Sequence, residues 1–313
     1  MRKWGQLLLA LLFLSAGCAS IPPEVRVLPV GDPPIELHAT PFFAQQEFQC
    51  GPAALTTVLV ASGADVSPQD IVKKVYLPGR EGSLQFEMLA ATRTSARLPY
   101  VIDGRLTAIR DELIADRPVI VLQNLGVAAI PAWHYAVVIG IDTERGMVIL
   151  RSGTERRRET RIKTFLRTWQ RSGYWAMVVL KPGSLPSNVD RTRYLAAVAA
   201  LEGAGQSLAA ETAWRAGLAE WPGDTTAAFG LANALAAQGD DVAAVTAYEE
   251  LLALDPDLVV ARNNLALALA RLGHFDKAER QIERALLDNT YADLESELLD
   301  SQASIREDRT TAK

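Results

Sequence analysis

Gln45-Gln46-Glu47-Phe48-Gln49-Cys50-Gly51-Pro52-Ala53-Ala54-Leu55 sets a lone thiol at the start of a helix. Pro52 suits the first helical turn, where a missing N–H is harmless, and Ala53 through Leu59 continue the helix. Cys50 is one of only two cysteines in 313 residues. The other, Cys18, closes an apolar leader, so Cys50 has no partner for an intramolecular disulfide. Unpaired backbone N–H groups and the positive end of the helix dipole predict a position that favours thiolate over thiol. A buried structural thiol is the plain alternative. What decides between them is the rest of the chain.

Downstream, Ser67 before Pro68-Gln69-Asp70 reads as an N-cap, and further helices are expected over Leu84–Thr94 and Leu106–Ala115. Strands follow at Pro118–Leu122, Tyr135–Ile141, Met147–Leu150 and Trp175–Leu180, with Asp142–Gly146 as a hairpin loop. Helices first and a mostly antiparallel sheet afterwards give an α+β domain.

His134 opens the second of these strands, about 80 residues beyond Cys50. Thiol–imidazole chemistry needs an activated cysteine and a histidine brought beside it from elsewhere in the fold. The pattern Gln-x4-Cys-Gly-Pro-Ala-Ala followed by His-Tyr-x-Val-Val-x-Gly resembles the papain-like cysteine peptidases that cut bacteriocin leaders after a double glycine. The resemblance covers roughly residues 37–182. It implies Cys50 as nucleophile and His134 as general base and later acid. It also implies that Gln45 donates its amide to the oxyanion beside the Cys50 N–H, with Gln46 competing for that role. His38 has no matching position and reads as a surface or tether residue.

The family places an Asp about sixteen residues beyond the histidine to orient the imidazole. Here that stretch is Leu150-Arg151-Ser152-Gly153, without a carboxylate. Asp142 sits at the far end of the His134 strand, roughly 26 Å away. Ser152 is the substitute to expect at the third position, a weaker partner than a carboxylate. Losing an orienting acid lowers turnover by orders of magnitude. The run Arg151, Arg156, Arg157, Arg158 and Arg161 reads as a solvated hairpin face, with an anionic-ligand site as the sharper alternative.

Composition changes sharply near residue 182. Residues 183–190 are a turn-rich linker, and beyond them the chain is rich in Ala and Leu, with no strand signal. Gly205, Gly239 and Gly273 are 34 residues apart, as are Ala210, Ala244 and Ala278, and Trp214, Tyr248 and Ile282. This period resembles the tetratricopeptide repeat, with about three units over 191–290. Such an array implies a protein partner bound on a concave surface, with packing against the first domain or self-association as the alternative. Asn233, Asn263 and Asn264 lie on first helices, where ligands are expected. Residues 291–313 read as a polar C-terminal tail that frays.

At the other end, Met1-Arg2-Lys3, an apolar core over Leu7–Leu14 and Ser15-Ala16-Gly17-Cys18 describe a signal peptide of residues 1–17. The small residues before Cys18 resemble a bacterial lipobox, although Ser15 stands where Leu is usual. The resemblance implies lipid on Cys18, a tether over 18–36, and a place in the bacterial cell envelope, on the outer membrane facing the periplasm. An ordinary cleaved signal is the alternative. A net charge of −5 implies no bulk attraction to nucleic acid. Three histidines and one mature thiol exclude a His-rich or Cys-based metal centre, and no cofactor is expected. The expected function is a membrane-anchored cysteine peptidase acting on a peptide or protein substrate recruited by the repeats. A peptidase-fold scaffold that binds without turnover is the alternative, and acyl transfer through the same thiol stays open.

Overall fold

The computed structural model describes residues 32–312. The signal peptide, Cys18 and most of the tether lie outside the described residues.

Seven antiparallel strands form one sheet: β1 (Ile35–Glu36), β2 (Leu98–Val101), β3 (Val119–Asn124), β4 (Trp133–Asp142), β5 (Met147–Ser152), β6 (Glu155–Arg161) and β7 (Ala176–Leu180). They run in the order β2-β7-β3-β4-β5-β6, with β1 pairing the far end of β4 through Ile35 and Ile141. The sheet therefore takes in residues assigned above to the tether. Helices α1 (Cys50–Ala61), α2 (Pro68–Val75) and α3 (Gln85–Arg93) cover one face. There Leu55, Val58 and Leu59 of α1 share a core with Leu122, Tyr135, Val137 and Ile139. Helices α4 (Leu106–Ile114) and α5 (Ile162–Gln170) cover the other face, against Val121, Ala136, Val138 and Leu150. Both faces are thus buried, which is why β3 and β4 read as nearly unbroken apolar runs instead of alternating ones.

Three features escaped the sequence reading. Helix α5 lies directly after the basic strand, and its strongly amphipathic pattern buries Phe165, Leu166 and Trp169. Strand β2 is only four residues long and contains Pro99. Strand β6 is almost wholly charged, a composition suited to an unpaired sheet edge. Ser67 does cap α2, its hydroxyl accepting from the Asp70 N–H at 3.2 Å.

The C-terminal unit consists of helix pairs α6 (Arg191–Glu202) with α7 (Ser207–Glu220), α8 (Thr225–Ala237) with α9 (Asp241–Leu254), and α10 (Val259–Arg271) with α11 (Phe275–Asp288). Gly205, Gly239 and Gly273 all turn the chain at φ of 77° to 78°, the left-handed conformation that glycine tolerates best. Trp214 is seated because Gly230 has no side chain, since a Cβ there would lie 2.2 Å from the indole.

The expected frayed tail is instead helix α12 (Ala292–Thr311). Its polarity masks a narrow stripe: Leu298, Ser301 and Ile305 are buried against the last repeat, and Arg309 bridges Glu279 and Asp276 at 2.7 and 2.8 Å. A terminal repeat needs such a cover for its open apolar face.

Nor is the linker slack. The Ser187 N–H donates to Glu112, Asn188 donates to Asp111, and the Asp190 N–H pairs with the Tyr100 hydroxyl. Tyr194, Leu195 and Val198 of α6 continue the same core as Leu98 and Tyr100 of β2. Ile305→Ala is expected to lower stability by about 2–5 kcal/mol in urea unfolding. An unchanged midpoint would mean that α12 is undocked in solution.

Candidate functional site

Helix α1 delivers Cys50 as its first residue. What fixes that end of the helix is Gly51. A Cβ on Gly51 would lie 2.5 Å from the Ser83 hydroxyl and 3.5 Å from the Tyr135 ring. The glycine therefore lets the Leu77–Leu84 loop close on the helix start, while the Tyr135 ring lies at ordinary contact distance. Tyr135 in turn rests edge-on against Trp175, 5.9 Å between ring centres. Phe48 holds a positive φ of 59° two residues before the thiol, and its ring stands exposed in the cleft.

Strand β4 opens with Trp133 and His134, so the imidazole sits at the strand end nearest the helix start. Cys50, His134 and Gln45 line one cleft of about 930 Å³ with Trp133, Ser83 and Arg171. Gln46 is exposed and does not line it. The Gln45 N–H is tied to the Gly153 carbonyl at 3.1 Å, while its buried Oε1 has no partner among the described residues. The buried Ser83 hydroxyl is likewise unpaired there.

The third position is filled by Ser152. Its Oγ lies 2.8 Å from His134 Nε2, eighteen residues beyond the histidine in sequence. Asp142 instead serves its hairpin, accepting from the Arg145 N–H at 2.9 Å. A carboxylate can only accept, and so holds the ring proton on Nε2. A hydroxyl can donate or accept, and satisfies either tautomer. In a serine-protease triad, admitting the wrong tautomer lowers kcat by about 10⁴.

Burial dominates the electrostatics of both groups. It pushes the Cys50 thiol above its ordinary value, although the N–H groups of Tyr135, Gly51 and Cys50 itself pull the other way. The helix start thus does not produce the net preference for thiolate expected from the sequence, because desolvation outweighs it. Burial and then the nearby Arg158 charge lower His134 to about 4. At neutral pH the pair is thiol and neutral imidazole, and no hydrogen bond joins the two side chains among the described residues.

Of the basic run, Arg151 is not on a solvated face. It is buried and donates to the carbonyls of Thr40, His38 and Arg156. This clamps the segment that leads to Gln45, a role that nothing in a local reading of charge reveals. Arg157 is paired with Glu36 and Glu159. His38 is exposed beside Glu36. No group of His, Cys, Asp and Glu among the described residues could hold a metal ion.

In the repeats, Asn233 accepts from the Tyr248 hydroxyl at 2.6 Å and from the Asn264 amide at 3.1 Å. They line a cavity of about 300 Å³ with Arg271, while Asn263 is buried. Every residue lining the thiol cleft falls between Gln45 and Ser172, so the repeats add none.

Residues 38–177 match the model of the Peptidase_C39 like family, and residues 232–273 match that of the TPR repeat. The chain joins a Peptidase_C39-like domain to a TPR repeat. Among solved structures, a C39-like peptidase from Bacillus anthracis is 16% identical with a TM-score of 0.41, over 48% of this chain and 98% of its own. The TPR domain of P58(IPK) is 25% identical with a TM-score of 0.35, over 38% of this chain and 33% of its own. None of the curated proteins matches the chain.

The His134 value makes a signed prediction. Between about pH 6.5 and 4 the unfolded chain binds a proton at this residue that the folded one does not. Its contribution to stability is therefore present above pH 6.5 and is lost as pH falls toward 4. His134→Gln should flatten that part of a stability–pH curve. An NMR titration of the His134 ring with a midpoint near 6.5 would overturn this account.

Proposed function

We propose that this protein is a cysteine peptidase that cleaves peptide bonds through a thioester on Cys50. The observation that carries the reading is the convergence of Cys50, His134 and Gln45 on one cleft, with Ser152 on the far nitrogen of the imidazole. Because Ser152 engages Nε2, the proton from the thiol passes to Nδ1 as Sγ attacks the substrate carbonyl. The developing oxyanion is met by the Gln45 amide and the Cys50 N–H. His134 then protonates the leaving amine, and water, deprotonated by the same imidazole, hydrolyses the thioester. The unpaired Gln45 Oε1 and Ser83 hydroxyl support a site built for a polar occupant, since buried polar groups otherwise find partners.

In this reading the lipid on Cys18 holds the protein at the bacterial outer membrane, and the repeats recruit the substrate or a protein partner. A role for the repeats away from the chemistry is supported by their absence from the cleft lining.

The second reading is a slow or inactive peptidase-fold scaffold. It is favoured by the neutral resting pair and by a hydroxyl where an acid would hold the imidazolium.

Labelling separates the two. A peptide-like electrophile that fills the cleft should modify Cys50 faster than iodoacetamide does, and His134→Ala should remove that advantage. Equal rates for the two reagents, unaffected by His134→Ala, would leave only the scaffold. Ser152→Asp should raise the His134 pKa and speed peptide-like labelling at pH 7 by at least tenfold. A variant that labels no faster than wild type would mean that the third position does not limit the thiol.

A further inference from the structure

The mouth of the cleft carries an apolar feature that the proposed chemistry does not use. Residues 125–135 read Leu-Gly-Val-Ala-Ala-Ile-Pro-Ala-Trp-His-Tyr, without an acid, a lysine or an arginine. Leu125, Val127, Ile130 and Trp133 are 46%, 57%, 76% and 54% exposed. Phe86, at 78%, and Phe48 stand exposed on neighbouring segments.

The loop that bears them is held rigid. Asn124 Oδ1 accepts from the N–H groups of Gly126 and Ala132, both at 2.9 Å, and the Leu125 N–H donates to Ala132. Val127 and Ile130 exchange backbone hydrogen bonds at 3.2 and 3.1 Å. Arg171 braces the base through the Asn124 and Gly126 carbonyls. Gly126 permits the fold-back, because a Cβ there would sit 2.3 Å from the Ile130 carbonyl oxygen. Most N–H groups of the loop are therefore satisfied within it, and Pro131 has none. Satisfying its own backbone is what a segment needs to enter a hydrocarbon environment.

We infer that this loop, Leu125–Ala132 with Trp133 at its base, dips into the interfacial region of a lipid bilayer and sets the mouth of the cleft against the membrane. Trp133 borders the cleft, whereas Leu125, Val127 and Ile130 are exposed and outside its lining, so they fit a broad apolar surface. Aliphatic side chains at the tip with a tryptophan at the base match the gradient from acyl chains to headgroups.

Chain length allows the placement. Ile35 pairs with Ile141, eight residues along β4 from Trp133, a distance of about 27 Å. Ile35 lies seventeen steps along the chain from Cys18, enough to span about 56 Å when extended. A chain held at Cys18 can therefore turn its cleft mouth to the same membrane.

The test uses the full chain with Cys18→Ser and Cys50→Ala, so that any leader effect is common to every arm. A polarity-sensitive fluorophore is attached at Ala128→Cys or, as a control on the repeats, at exposed Leu208→Cys. Vesicles of phosphatidylethanolamine and phosphatidylglycerol are prepared with and without brominated acyl chains. Brominated lipid should quench the label at 128 at least twofold more than the label at 208, and Val127→Asp with Ile130→Asp should abolish the difference. Equal quenching at the two positions would overturn the inference. So would a label at 128 that is indifferent to vesicles but shielded by a soluble apolar peptide, which would assign the surface to peptide binding. Because Cys50 is replaced throughout, the membrane inference and the peptidase reading fail separately.

Discussion

The packing of α1 on β4, with Ser83 closed down on Gly51, governs the N-terminal unit. Leu55, Val58 and Leu59 press the helix onto the sheet through Tyr135, Val137 and Ile139. At the helix start only a glycine leaves room for the Ser83 side chain. That packing places Cys50 over the end of β4 where His134 emerges, with the Leu77–Leu84 loop as one wall of the cleft. A side chain at residue 51 would push the helix start away, and with it the thiol. Core packing and chemical geometry are here the same constraint.

Burial gives this site its character. A thiol and an imidazole taken out of water both settle in their neutral forms, and a hydroxyl at the third position does little to reverse that. An ion pair formed in advance is thus not part of the resting state.

The repeats extend the sheet's own core instead of hanging from a tether. Tyr194, Leu195 and Val198 join the cluster built on Leu98 and Tyr100, and residues of the 183–190 segment are pinned to α4. Their cavity and the thiol cleft are lined by different residues. A ligand on the repeats would therefore be held at a fixed offset from the cleft and not on a swinging arm.

Local pattern determined much of this. The helix at Cys50, the strand at His134, the 34-residue period and its turning glycines were legible because each is written in neighbouring residues and fixed periodicities. What pattern missed was written in polar disguise. Helix α12 hides a narrow buried stripe under charge, α5 follows a run of arginines, and β6 is nearly all charged because it lies at the sheet edge. Tertiary structure alone decided that Gln45 and not Gln46 faces the cleft, that Ser152, already expected at the third position, meets the imidazole at Nε2, and that Arg151 is a buried clamp. It also decided that desolvation at Cys50 outweighs the pull of the helix start. The physical reason is common to all four: spacing along a chain fixes which residues share a face, but burial and distance across elements depend on how those faces are brought together.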